Sequence, residues 1–234
     1  MFLPLGDEPN PRGVPIATYA LIGINVAVYL LVTLPMGALR SDLDDPVLAE
    51  YVQALMSQLG GRVSLDQLLA QVTAYDLVTF SYGFRPVDPG LLTLVTSMFL
   101  HGGFMHLGGN MLYLWIFGNN IEDAMGHGRF FIFYMITGLG ATMVHVLSDP
   151  NSTIPMIGAS GAIAGILGAY FVLYPKAKIK TFVVLIIFIQ IIYVPAVFIL
   201  GFWFFRQIIG IGSDDIAWYA HIGGFLVGMF LVRR

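Results

Sequence analysis

Apolar residues gather into six runs along the chain, separated by polar or glycine-rich stretches. A helix rises ~1.5 Å per residue, so roughly 20 mainly apolar residues cross a hydrocarbon core of ~30 Å. The runs Ile16–Leu34, Phe104–Gly118, Phe130–Leu147, Ile157–Tyr174, Thr181–Phe205 and Ala217–Val232 reach or approach that length. They predict an all-α, polytopic membrane protein with a bundle of six transmembrane helices. The second, fourth and sixth runs carry His, Asn, Ser and many Gly residues. Polar groups facing lipid cost several kcal/mol, so these three spans are expected inside the bundle, where function should sit.

Between the first two spans lies a long connection, about 35–88. It is too long for a bare loop. Leu48, Val52, Leu55, Met56 and Leu59 recur at helical spacing, as do Leu65, Leu68, Leu69 and Val72, with Gly60-Gly61 between the sets. Two amphipathic helices on the outer surface or in the interface are expected, with a solvated hairpin as the plainer alternative. The run Leu91–Leu100 is expected in the interface before the second span. No internal repeat or soluble domain is visible. The expected organisation is a tail at 1–15 and one membrane domain at 16–234, including an outer loop at 35–90.

Composition agrees with lipid as the solvent. Hydrophobic residues make up 57% and charged residues 11%, against about a quarter charged in soluble domains. The net charge of −3 gives no electrostatic case for nucleic acid. With no Cys there is no disulfide, thiolate metal site or Cys nucleophile. The N-terminus lacks a basic segment, and its first apolar run is too long for a signal peptide, so it is expected as a retained span. With six spans, Arg12, Arg129, Lys176, Lys178, Lys180, Arg233 and Arg234 fall on one side, which is therefore expected to be cytoplasmic, with both termini. Asp42, Asp44, Asp45, Asp149, Asp214 and Asp215 fall opposite.

Candidate chemistry begins with Ser160 in Pro155-Met-Ile-Gly-Ala-Ser-Gly-Ala-Ile-Ala-Gly165. Pro155 and Gly158 mark a helix start, which puts Ser160 near unpaired N–H groups and the positive end of the dipole. Both favour a developing oxyanion. A packing serine is the plainer reading. His221 lies in Ala220-His-Ile-Gly-Gly-Phe-Leu-Val-Gly228. Gly224 and Gly228 share one helix face, as Gly161 and Gly165 do on the fourth span, so the two backbones can approach closely and bring His221 to Ser160. A satisfied core histidine is the alternative. His106 and Asn110, four apart in His101-Gly-Gly-Phe-Met-His-Leu-Gly-Gly-Asn110, offer donors suited to an oxyanion hole, or an interhelical polar network.

Depth adds a test. At ~1.5 Å per residue, Ser160 lies ~22 Å above Pro175, His106 ~21 Å and Asn110 ~15 Å above Asn120, and His221 ~17 Å above Val232. Three spans thus put their polar groups in one layer, as a hydrolytic constellation requires.

These residues, in this order, resemble the rhomboid family of intramembrane serine proteases. The likeness covers about Leu94 to Val232, including the His101, His106 and Asn110 pattern, Gly118 and Glu122, GASGAIAG around Ser160 and AHIGGFLVG around His221. It implies a six-helix core with a wet cavity open to the outer face. Ser160 would be nucleophile and His221 general base, a dyad without an acid. His106, Asn110 and the Ser160 N–H would form the oxyanion hole, which Gly158 helps to shape. Substrates would be single-span membrane proteins cut within or near the bilayer, with no cofactor, metal or nucleic acid. A prokaryotic inner membrane suits the compact chain.

Two features differ from the family pattern. Leu92 and Thr93 stand where members often carry Trp-Arg, with Phe84-Arg85 further upstream, and the first loop is unlike the usual one. Phe202 to Phe205 would form the bulky outer end of a lateral gate, or interface anchors. Tyr170 and Tyr219 are candidate supports for His221. Three other readings remain: a catalytically silent relative that binds membrane proteins, a channel or transporter, and a metal or haem site on His101, His106, His145 and His221.

Overall fold

The computed structural model describes residues 2–11, 13–59, 63–185, 188–210 and 217–232. Gly60, Gly61, Arg12, Asp214, Asp215, Arg233 and Arg234 lie outside these residues, with the parts of the loop and orientation readings that use them. The chain is mostly helical and divides into two compact units, where the sequence suggests one domain at 16–234. One unit comprises Met1–Gly23, Gly108–Ser148 and Ala159–Arg234; the other comprises Ile24–Leu107 and Asp149–Gly158.

The helices are α1 (Ile16–Gly37), α2 (Pro46–Leu59), α3 (Leu65–Leu69), α4 (Ala74–Tyr82), α5 (Leu91–Phe99), α6 (Phe104–Met125), α7 (His127–Ser148), α8 (Ser160–Leu173), α9 (Ala196–Ile208) and α10 (Trp218–Leu231). Helices α1 and α7, at 22 residues each, are long and apolar enough to cross a membrane, and α5 with α6 forms a third, broken candidate. Helices α8 and α10 have 14 residues and α9 has 13. At ~1.5 Å per residue each spans about 20 Å.

In the first unit α8 is the central element. Every residue from Ala162 to Tyr170 is buried, which is why this stretch shows no polar face. Helices α7 and α10 enclose it. Small residues make the fit: a Cβ added at Gly224 would strike the carbonyl of Gly161, and one at Gly228 would strike that of Gly165. On the other side of α8, a Cβ at Gly165 would strike Thr137 of α7. Close backbone approach of this kind replaces the hydrophobic drive that is missing between helices in lipid.

The same unit corrects the all-α expectation and the fifth span, Thr181–Phe205. Strand β1 (Phe2–Glu8) pairs antiparallel with β2 (Lys178–Leu185), which pairs antiparallel with β3 (Phe188–Pro195); helix begins only at Ala196. The reason lies in composition. Lys178 to Pro195 is rich in Ile, Val, Thr, Phe and Tyr, side chains that suit a pleated surface. In β2, Ile179, Thr181 and Val183 are buried while Lys178 and Lys180 are exposed, a period of two. Length alone favours a helix.

In the second unit Leu48 and Val52 of α2 pack with Val72 and with Leu77 of α4; Tyr51, Met56 and Leu69 lie against them. The apolar sides of the outer-loop helices therefore face one another. Three short helices occupy the region where two amphipathic ones are expected. Reciprocal Ser64–Gln67 and Thr73–Asp76 bonds cap α3 and α4. Arg85 stacks on Phe80 at 3.9 Å and pairs with Glu50 and Asp88, each at 2.8 Å. Leu92 is exposed, and Thr93 caps the start of α5 by binding Gly90.

Candidate active site

Ser160 is the first residue of α8. Its predecessor Ala159 makes no side-chain cap, so the N–H groups of the first turn have no intrahelical partner. Ile163 donates to the Ala159 carbonyl at 3.0 Å, the first bond of the helix. The chain reaches this turn through Gly158, whose φ of +116° is strained for any residue with a Cβ. The Gly158 N–H donates to the Ser97 carbonyl at 2.8 Å, so both its conformation and its direction are fixed.

His221 lies in the first turn of α10. Its Nε2 lies 2.8 Å from Ser160 Oγ, within hydrogen-bond reach for proton transfer. Its Nδ1 lies 2.9 Å from Oε1 of Gln207. The Trp203 ring covers the imidazole at 5.8 Å between centroids, tilted by 35°. Trp203 and Gln207 are one turn apart on α9 and reach the same partner. Phe225 stacks on Phe204 at 4.4 Å and on Trp203 at 6.0 Å, holding α9 against α10.

Two expectations about what supports the imidazole change here. Tyr170 donates through its hydroxyl to Asp7 at 2.5 Å and sets its ring edge-on to Phe117 at 5.0 Å. Tyr219 is 55% exposed. Gln207 falls outside the fifth apolar run, which ends at Phe205, so the sequence alone gives it no role. The available signal was a single amide in Phe-Trp-Phe-Phe-Arg-Gln-Ile-Ile, four residues after Trp203.

Asn110 lies on α6 in the same unit as the serine and is buried, and its Nδ2 has no hydrogen-bond partner among the described residues. A buried donor left unpaired costs about 1–3 kcal/mol and calls for an explanation. His106, also on α6, belongs to the other unit. The Gly102 N–H donates to its Nδ1 at 3.3 Å, which puts the ring proton of a neutral His106 on Nε2 as an available donor. His101 is fully buried 5.0 Å from His106, ring to ring. The Tyr75 hydroxyl donates to the His101 carbonyl at 2.8 Å. Among the described residues no three His, Asp or Glu side chains converge as a metal-binding group.

Glu122 lies near the end of α6 and serves the fold. Its carboxylate accepts from the N–H of Ala17 and of Thr18, each at 2.7 Å, and from the Thr18 hydroxyl at 2.6 Å. These donors belong to the first turn of α1, where an anion is favoured by the helix dipole. His127 Nδ1 meets the same carboxylate at 2.5 Å. Asp7, in β1, is buried between the Tyr170 hydroxyl and the Asn120 amide. Burial pushes its carboxyl up to about 6, although the Tyr170 bond acts in the opposite direction.

A Rhomboid domain family model matches residues 88–233. The chain is 31% identical over 148 residues to RHOMBOID-like protein 5 of Arabidopsis thaliana, covering 59% of this chain and 42% of that protein. It is 36% identical over 96 residues to Rhomboid protein 1, mitochondrial, of Saccharomyces cerevisiae, covering 39% and 28%. To Rhomboid protease GluP of Bacillus subtilis it is 34% identical over 143 residues, covering 58% and 24%. It therefore spans less than half the length of these relatives. With two long apolar helices and the match to most of its sequence, the chain is a membrane protein that belongs to the rhomboid family.

Proposed function

We propose that this protein is an intramembrane serine endopeptidase that cleaves single-span membrane proteins with a Ser160–His221 dyad. The observation that carries the reading is the 2.8 Å approach of Ser160 Oγ to His221 Nε2 at the start of a buried helix. His221 takes the serine proton as Oγ attacks the substrate carbonyl. The tetrahedral oxyanion accepts hydrogen bonds from the Ser160 N–H and Asn110. The imidazolium returns its proton to the departing amine, and water then hydrolyses the acyl-enzyme by the same steps.

That Asn110 Nδ2 has no partner among the described residues supports its part in this reading, because a developing oxyanion would supply an acceptor. His106 is the second side-chain donor that the rhomboid resemblance implies. Gly158 contributes by orienting the first turn of α8. GluP of B. subtilis carries the name of a protease. In this reading six segments cross the bilayer, both termini face the cytoplasm and the host is a prokaryotic inner membrane. No cofactor or metal takes part.

The test is cleavage of a model single-span substrate in proteoliposomes. Ser160→Ala and His221→Ala should each abolish cleavage while leaving the fold intact. Undiminished cleavage by either variant would remove the dyad. A silent membrane-protein binder would leave the substrate whole even with the unaltered protein.

A further inference from the structure

We propose that Gln207 is a positioning residue that fixes His221 in the tautomer the serine needs, as an uncharged third member behind the dyad. The proposal rests on the peptidase reading above. To accept the Ser160 proton, Nε2 must be bare, so the imidazole proton must sit on Nδ1. A neutral imidazole can carry its proton on either nitrogen, and the partner of the far nitrogen decides which. Here that partner is the Gln207 side chain, 2.9 Å from Nδ1.

A carboxamide could set either tautomer. Its oxygen at Nδ1 demands Nδ1–H, whereas its NH2 at Nδ1 would demand the reverse and leave the serine facing an N–H. The choice is made one turn away: Gln207 Nε2 donates to the Trp203 carbonyl at 3.1 Å, which turns Oε1 toward Nδ1. Gln207 is 7% exposed, so little water competes for either end of the amide. The tilted Trp203 ring restrains the imidazole plane as well, so α9 sets both the tautomer and the orientation of the base. An amide does this without adding a second buried charge, which would carry a desolvation cost.

The test uses the full-length protein in nanodiscs with three readouts: the ring 15N shifts of His221, the rate of fluorophosphonate reaction at Ser160, and kcat against KM on a single-span substrate. In the unaltered protein Nδ1 should carry the proton. Gln207→Met keeps the volume and removes the acceptor. It should mix the tautomers and lower kcat and probe reaction roughly 10-fold or more, short of the ~10⁴ of a reversed tautomer, with KM unchanged. Gln207→Glu restores an acceptor and should recover the Nδ1–H form and most of the probe reaction. A proton on Nε2 in the unaltered protein overturns the proposal without any variant. So does a Gln207→Met protein with unchanged shifts and kcat. If Gln207→Met does not fold, Gln207→Glu decides: retained Nδ1–H with labelling supports the proposal, and their loss overturns it. Absence of both cleavage and labelling in the unaltered protein defeats the peptidase reading, while the 15N shifts still judge the tautomer separately.

Discussion

The Cα of Gly224 lies so close to the Gly161 carbonyl that a methyl group between them has no room. Gly161 follows Ser160 and Gly224 comes three residues after His221, so this one approach sets the separation of the dyad. Gly224→Ala should destabilise the protein by about 1–3 kcal/mol, as overpacking does, and slow fluorophosphonate labelling of Ser160. Gly128→Ala, where none of the described residues comes within 4 Å of the added carbon, should leave both unchanged. Thermal unfolding in detergent and probe kinetics check the pair.

Glu122 holds the first turn of α1 through three bonds to its carboxylate. Bonds to a charged acceptor are worth ~1.5–3 kcal/mol each, and an amide puts a donor where an acceptor is needed. Glu122→Gln should therefore cost about 3 kcal/mol. Faster hydrogen exchange confined to the α1 amides near Ala17 and Thr18 would locate the loss; equal protection in both proteins would contradict it.

Asp7 gives the N-terminal strand a dependence on pH. Its folded carboxyl titrates near 6, above the ordinary 3.8, so the folded state holds the proton more tightly than the unfolded one. The stabilisation is complete below about 4 and is lost as pH rises from there through 6. Exchange protection of β1 amides should be greater at pH 5 than at pH 7.5. Asp7→Asn, which cannot ionise, should flatten that difference.

The chain states some of this openly and hides the rest for physical reasons. Ser160 and His221 stand out because each is a polar residue in a Gly- and Ala-rich apolar run, and their glycine faces suggest which helices meet. The outer-loop helices follow from their spacing, but spacing does not say whether Leu48, Val52 and Val72 bury against lipid or against one another. The pairing of β2 with β3 is hidden because a mainly apolar run of 25 residues, Thr181–Phe205, satisfies the length of a span. Its strand character rests on β-branched content and on the two exposed lysines that alternate with Ile179 and Thr181. Asp7 escapes notice because two adjacent acids in Pro-Leu-Gly-Asp-Glu-Pro resemble a solvated tail. Gln207 escapes because one amide carries meaning only once α9 has a neighbour.

The most direct measurement is mapping of fluorophosphonate attachment by mass spectrometry on the unaltered protein and on His221→Ala. Modification is expected at Ser160 alone in the unaltered protein, with a rate at least 100-fold lower without the imidazole, in line with the ~10²–10⁴ that a general base supplies. Attachment at another hydroxyl, or equal labelling of Ser160 in the two proteins, would contradict the dyad.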